Sequence, residues 1–434
     1  MDNLLKVKAL ILAGGKGTRL AEITQNLIPK PMAKLHGKPI LERAILQLKS
    51  YGITDIFISV GFMREKITEY FKDGKDFGVN IEYVIEDTPL GSGGALYFLK
   101  EKIDCDLIVC SGDILFDVDF NKLIDYHRDK NALVTLFAHP NTHPYDSDLI
   151  IADKEMRVTE IIRKNQEKDF FYKNLVNAGI SVLSPKTFEY FTELKPVNYE
   201  HDFIASFIKS GKVYAYKSTE YVKDAGTTER FSQAEKDLDA NLPFDKNIKN
   251  KQKAIFLDRD GTINKYKDFI TDIRDIELLP TVATAIKKIN ESGYLAIIVS
   301  NQPVVARGEC TFDEVNEMFD KIETLLGKDG AYIDGVYYCP HHPKSGFIGE
   351  VKELKIDCDC RKPKIGMLLK AANDFNLDLP KCVMIGDGEN DVKTGKNAGI
   401  KTVLVKTGIQ DDCNVSPDFI ANDLLEAVNF ALKN

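Results

Sequence analysis

The chain has 434 residues, a net charge of -8 and the apolar and charged fractions of a soluble globular protein, so its length predicts two domains rather than one core. The acidic balance excludes a general nucleic-acid binder. There is no apolar run of spanning length and no leader pattern at the N-terminus, which predicts a cytoplasmic protein with no membrane partner.

From Val7 to about Ala240, β-branched runs alternate with amphipathic stretches: strand over 9–12, helix over 40–51, strand over 56–60, helix over 64–71. This alternation predicts a largely parallel sheet. Residues 241–252 lose periodicity and turn polar, which reads as a linker between a domain at 1–240 and another at 253–434. The alternation then restarts, with strands at 254–257, 295–299 and 383–385 and a helix over 282–292. The expected class is α/β, a Rossmann-like domain followed by a second Rossmannoid domain, each binding ligands at its strand ends.

After the first strand comes Leu12-Ala-Gly-Gly-Lys-Gly-Thr-Arg-Leu20. Gly14, Gly15 and Gly17 let the backbone approach a triphosphate and aim N–H groups at it. The spacing is neither that of a P-loop nor that of a dinucleotide fingerprint. Lys16, Arg19 and Lys30 supply cations for a departing pyrophosphate. Asp113 follows a strong strand and Asp224 lies in a glycine turn, two hard oxygen ligands suited to Mg²⁺.

These strings, with Pro29-Lys-Pro-Met32, Pro89-Leu-Gly-Ser-Gly-Gly94, Asn177-Ala-Gly-Ile180 and Asp224-Ala-Gly-Thr227, resemble in order the sugar-1-phosphate nucleotidyltransferase family, whose fold is GT-A-like. The resemblance implies attack of a sugar 1-phosphate on the α-phosphorus of a nucleoside triphosphate. Lys16 and Arg19 would steady the triphosphate, and Asp113 and Asp224 would hold Mg²⁺. Asn177 and Gly179 would contact the sugar, Glu86 and Gly91 the base and sugar, and Lys164 a phosphate. Two departures stand out: Arg163-Lys-Asn165 where the family often has Glu-Lys-Pro, and Ser92-Gly93 in place of a bulkier pair.

In the second half, Asp258 and Asp260 follow an apolar strand and precede the turn Gly261-Thr262. Such a pair can divide into a nucleophile and an acid/base. Ser300 and Asn301 can donate to phosphate oxygens, Lys362 can balance phosphoryl charge, and Gly386-Asp-Gly-Glu-Asn-Asp391 offers carboxylates for Mg²⁺. Cys339-Pro-His341 followed by Cys358-Asp-Cys360 gives three thiolates and an imidazole, the closed set of a structural Zn²⁺, with His342 as competing ligand. The remaining five of the eight cysteines read as packing residues.

This set resembles the haloacid dehalogenase superfamily phosphatases. The resemblance implies an aspartyl phosphate on Asp258 with Asp260 as acid and base. Mg²⁺ would be held by Asp258, Asp260 through its backbone carbonyl, and Asp387, with Asp391 in support. Ser300, Asn301 and Lys362 would hold the phosphate, and Thr262 joins the substrate-binding set. About forty residues between Asp260 and Ser300 leave no room for a large cap domain. The Cys-Pro-His-His-Pro and Cys-Asp-Cys-Arg-Lys-Pro strings narrow the likeness to the heptose 1,7-bisphosphate phosphatases and the related histidinol phosphatases, with Arg361 on the sugar or its distal phosphate.

The pairing of domains favours heptose. Removing the 7-phosphate leaves a heptose 1-phosphate that the first domain could activate, with GMP drawn from GTP as the resemblance implies. Open alternatives are a hexose (mannose) 1-phosphate nucleotidyltransferase fused to a histidinol-type phosphatase, and a first domain that only binds a nucleotide sugar as regulator. The expected partners are small-molecule substrates, a nucleoside triphosphate and heptose phosphates, and a homo-oligomer is compatible with the sequence.

Overall fold

The computed structural model describes residues 6–15, 18–86, 88–408 and 414–433; Lys16 and Gly17 of the expected phosphate loop lie outside them. By its internal contacts the chain divides into two compact units. The first comprises 1–139, 148–163 and 176–247, the second 140–147, 164–175 and 248–434. No helix among the described residues is long and apolar enough to cross a membrane.

The first unit is built on a nine-stranded sheet. Its main path runs Val158–Ile162, Leu149–Ala152, Val176–Leu183, Asp106–Ser111, Val7–Leu12, Asp55–Val60, Asn80–Ile85. The last four strands are mutually parallel, as expected. The other half is not. Val176–Leu183 runs antiparallel to Asp106–Ser111, and Leu149–Ala152 forms an antiparallel pair with Val158–Ile162. The short connection between those last two strands allows only a hairpin, so the sheet is mixed rather than largely parallel.

Helix Ile40–Ser50 buries Ile40, Leu41, Ala44, Ile45 and Leu48, one stripe at helical spacing, and ends within a residue of its expected bound. Residues 241–252, which read as a linker, include the short helix Leu242–Lys246, and the boundary between units falls after Asn247.

The second unit carries a six-stranded, wholly parallel sheet. Its order is Gly335–Cys339, Tyr294–Asn301, Lys253–Leu257, Val383–Gly386, Lys401–Val405, Phe419–Ala421. The strand first in sequence is therefore internal, with later strands added on either side of it. That is a topological switch point, and Asp258 stands at its carboxyl end.

Ile255 and Leu257 pack on one face with Ile286, Ile289, Phe319 and Val428, while Ala254 and Phe256 pack on the other with Met367, Leu368 and Ala371. Both faces are buried under helices, which is why this strand reads as a continuous apolar run.

Helix Phe312–Lys328 contributes Val315, Met318, Phe319, Ile322 and Leu326 to the first of these cores. Its start is fixed by a capping box: the Thr311 hydroxyl accepts from Glu314 N–H at 3.2 Å, and the Glu314 carboxylate accepts from Thr311 N–H at 2.7 Å. In the same unit, Thr324 Oγ1 accepts from Tyr172 N–H and Glu323 from Asn174 N–H, each at 2.8 Å.

Thr311→Ala is expected to destabilise the first turn of this helix by about 1 kcal/mol. Hydrogen exchange of its leading amides should quicken about fivefold by mass spectrometry, and unchanged protection would contradict the capping account.

Candidate active sites

In the first unit the strand register brings the two expected motifs to one rim. Leu12 lies opposite Ser111, and Gly112 N–H donates to Leu12 carbonyl at 2.9 Å, so the glycine loop and Asp113 leave the sheet side by side. A side chain at Gly112 would come 2.9 Å from that carbonyl oxygen. Strand Tyr221–Asp224 pairs antiparallel with Ile114–Asp117, which sets Asp224 opposite Ile114, and Ala225 N–H donates to the Asp113 carbonyl at 3.1 Å.

Lys30 is buried between these carboxylates. Its ammonium hydrogen-bonds Asp113 Oδ2 and sits 3.5 Å from Asp224 Oδ1, while Arg230 Nη1 donates to Asp224 Oδ2 at 2.7 Å. Burial alone would raise the Asp224 carboxyl, but Lys30 and Arg230 hold it below the ordinary carboxylate range. Beside this pair a cavity of about 590 Å³ opens between Arg19, Glu22, Thr227 and Arg230.

Further along the rim, Gly179 has φ +75° and a side chain there would stand 3.2 Å from Ser111 Oγ; its N–H donates to Asn177 Oδ1 at 3.2 Å. Glu86 accepts from Ser59 Oγ at 3.0 Å and from Leu90 N–H at 3.2 Å. Gly91 has φ +79° and abuts the Val197 carbonyl. Gly14 and Gly15 follow the central strand, and Gly14 packs against Gly61. Lys164 belongs to the 164–175 segment grouped with the second unit.

In the second unit, Lys362 Nζ lies 2.8 Å from Asp258 Oδ1 and 2.6 Å from Asp391 Oδ1, with Lys362 and Asp391 buried and Asp258 partly exposed. Burial pushes the Asp258 carboxyl up to about 6 even though Lys362 pulls the other way. Burial would lower Lys362, yet Asp258 and Asp391 raise it.

The carboxylates of Asp258, Asp387 and Asp391 converge closely enough to share a cation. Three carboxylates against one ammonium leave an anionic pocket that fits a divalent ion with oxygen ligands. Asp391 thus stands in the cluster itself rather than only behind it. Gly261, at φ +75°, and Gly408 both back onto Asp387, and a methyl group at either would overlap Asp387 Oδ2.

Asp260 points elsewhere. Its carboxylate is gripped by Arg259 (Nε to Oδ1 3.0 Å, Nη2 to Oδ2 2.8 Å), by Asn264 Nδ2 at 2.9 Å and by Gln302 Nε2 at 3.1 Å. Asn301 engages the Lys362 backbone with both polar atoms, donating to its carbonyl at 3.1 Å and accepting from its N–H at 3.0 Å. It therefore fixes the lysine backbone beside the expected phosphate position. Ser300 is buried at the end of strand Tyr294–Asn301, and Thr262 is buried with no hydrogen-bond partner for its hydroxyl.

Arg259, Asn264 and Gln302 were not foreseen. Arg259 was the most legible of them, a basic residue inside the Asp-x-Asp string.

The cysteine quartet closes as its spacing suggested. Cys339 Sγ is 3.4 Å from Cys358 Sγ and 3.6 Å from His341 Nδ1, and Cys360 Sγ is 3.3 Å from both Cys358 Sγ and His341 Nδ1. These are the edges of a tetrahedron small enough for one ion. His342 turns away, its Nδ1 3.0 Å from the Lys344 carbonyl. Arg361 Nη1 donates to the His341 carbonyl at 3.2 Å. None of the other described cysteines is in a disulfide, and Cys110, Cys310 and Cys382 are buried.

Residues 8–241 match the Nucleotidyl transferase family and residues 359–427 the HAD-like hydrolases. The chain belongs to the nucleotidyl transferase family. Its second unit is similar over 183 residues to the D-glycero-beta-D-manno-heptose-1,7-bisphosphate 7-phosphatase of Haemophilus ducreyi, at 37% identity, covering 41% of this chain and 98% of that protein. It is also similar to the D-glycero-D-manno-heptose-1,7-bisphosphate 7-phosphatase of Thermosynechococcus vestitus, 36% identical over 187 residues, 41% of this chain and 94% of that one. The solved structure of HddC from Yersinia pseudotuberculosis is 27% identical, covers 53% of this chain and 99% of that chain, and superposes with a TM-score of 0.46. The chain is an enzyme that joins a nucleotidyltransferase to a HAD-type phosphatase.

Gly408→Ala should displace Asp387 and weaken Mg²⁺ binding by about tenfold or more, since a ligand moved by an ångström loses most of its contribution. Titration calorimetry on the full chain measures this, and unaltered affinity would remove Asp387 from the cation pocket.

Proposed function

We propose that the chain hydrolyses the 7-phosphate of D-glycero-D-manno-heptose 1,7-bisphosphate and then transfers a nucleotidyl group, GMP from GTP, to the resulting heptose 1-phosphate. The observation that carries this reading is the near full-length likeness of the second unit to heptose bisphosphate phosphatases, on the same chain as a nucleotidyltransferase with its Asp113, Lys30 and Asp224 assembled. The choice of guanine follows the likeness of the first motif set to guanylyl-transferring relatives.

In the phosphatase reaction an Asp258 oxygen attacks phosphorus and the bond to the sugar O7 breaks, with a proton from Asp260 going to O7. Water then attacks the aspartyl phosphate, its proton returns to Asp260, and the bond between phosphorus and Asp258 breaks. Lys362, held by Asn301, balances the phosphoryl charge, and Ser300 donates to a phosphate oxygen. A bound Mg²⁺ at Asp258, Asp387 and Asp391 would offset phosphate charge, with the Asp260 carbonyl as a further oxygen ligand.

In the nucleotidyl transfer a sugar-phosphate oxygen attacks the α-phosphorus and pyrophosphate leaves. Lys30 and Arg19 offset the developing charge, a role the family resemblance gives to Lys16 as well. Asp113 and Asp224 form the oxygen set for a second Mg²⁺, and Asn177, Gly179, Glu86 and Gly91 line the sugar and base side.

The Cys339, His341, Cys358 and Cys360 quartet fits Zn²⁺ in a structural role, because four protein ligands leave no open position. Emission spectrometry is expected to find one tightly bound zinc per chain. Cys358→Ser should release it and loosen Arg361 and Lys362, whereas a wild-type chain devoid of zinc would overturn this assignment.

Each half is tested separately. Asp113→Asn should cut pyrophosphate release from heptose 1-phosphate and GTP by at least about 100-fold while phosphate release from the bisphosphate persists; Asp258→Asn should do the reverse. Pyrophosphate release from mannose 1-phosphate but not from heptose 1-phosphate would replace the proposed sugar, and faster turnover with another triphosphate the proposed base.

A further inference from the structure

Gln302 has no place in the roles given so far, yet it is buried at the centre of the phosphatase network. Its backbone is pinned by donation to the Cys339 carbonyl at 2.8 Å, so its side chain has a fixed origin beside the cysteine quartet. From there Nε2 reaches Asp260 Oδ2 at 3.1 Å and Ser300 Oγ at 3.0 Å.

The identity of that atom is decided by chemistry. A carboxylate offers no proton, so the group facing Asp260 must be the amide nitrogen, and an amide nitrogen has two hydrogens and no acceptor capacity. One hydrogen goes to Asp260 and the other to Ser300. Ser300 Oγ is therefore an acceptor towards Gln302, and its own proton is left for another oxygen. Among the described residues no protein acceptor takes that proton. Asp260 accepts from Arg259 through two nitrogens, from Asn264 and from Gln302, so the same amide also helps fix its carboxyl.

We propose that Gln302 is a positioning residue in the phosphatase centre that makes Ser300 a donor to the phosphoryl group and holds the Asp260 carboxyl in place for proton transfer. This rests on the phosphatase reading of the second unit. The amide links two groups that meet opposite sides of the reaction: Ser300 the phosphate being bound, Asp260 the proton being moved. A side chain of the same size with reversed polarity would disturb both at once. A carboxylate at this position would take the Ser300 proton for itself and would face Asp260 with like charge.

The test uses the full chain with Mg²⁺, a sugar bisphosphate as substrate and inorganic phosphate as competing ligand. Gln302→Glu is expected to lower kcat and to raise the phosphate inhibition constant, each by about tenfold or more, the loss that follows when a hydrogen bond to a charged group is removed. Gln302→Met, similar in length but without donors, should fall between Gln302→Glu and wild type, and it carries the measurement should the glutamate variant fail to fold.

The deciding comparison is made in a Ser300→Ala background. If Gln302 acts through Ser300, the neutral Gln302→Met changes phosphate inhibition there by less than about twofold, because the shared hydrogen bond is already gone. Equal fold-changes in both backgrounds, or wild-type kcat and inhibition in Gln302→Met, would overturn the proposal. A wild-type chain that releases no phosphate would instead overturn the phosphatase reading beneath it.

Discussion

Both halves of the chain depend on the same local arrangement, a buried lysine ammonium held between two aspartates at the edge of a sheet. In the first unit it is Lys30 between Asp113 and Asp224, in the second Lys362 between Asp258 and Asp391. The lysine side chains are 8% and 3% exposed, so each ammonium has given up most of its water for the carboxylates around it. In the second unit the pairing is lopsided, with Asp387 joining Asp258 and Asp391 around one ammonium, whereas in the first Arg230 also pairs with Asp224. A surplus of negative charge in a dry, rigid pocket favours a further cation, and phosphate brings its own charge to the lysine.

What makes the arrangement possible is the parallel ladder. Parallel strands present their carboxyl ends on one rim, so residues distant in sequence emerge as neighbours. Leu12 opposite Ser111 aligns the glycine loop with Asp113, and Leu257 opposite Ile385 aligns Asp258 with the turn bearing Asp387. Glycines then let the backbones close in. Gly112 lies against the Leu12 carbonyl, and Gly261 and Gly408 lie against Asp387, places where any side chain would push the rim open.

The parts legible in the sequence were those whose signal is local. The cysteine quartet was readable because alternate-residue spacing brings two ligands of each pair to one ion, and His341 rather than His342 satisfies that spacing. Strand-end aspartates were readable for the same reason, as polar residues stopping an apolar run. What could not be read was set by contacts between distant segments. Lys30 was expected as a cation for the triphosphate, but only the fold reveals that it bridges two carboxylates. Asn301 was expected on phosphate, and only the fold reveals that its amide holds the Lys362 backbone. The reversal of Val176–Leu183 in an otherwise parallel neighbourhood has no local mark, since alternation looks the same in either direction. Residues 140–147 and 164–175 sit within the first half of the sequence yet share contacts with the second unit, which no boundary drawn along the chain could represent.

In the proposed function the two lysine–aspartate centres act in order on opposite ends of one sugar. Phosphorus NMR of the full chain with D-glycero-D-manno-heptose 1,7-bisphosphate, GTP and Mg²⁺ tests this most directly. The predicted course is loss of the 7-phosphate resonance with release of inorganic phosphate, followed by pyrophosphate and a nucleotide diphosphate signal at C1. Release of the 1-phosphate, or a nucleotide sugar that still carries its 7-phosphate, would contradict the account.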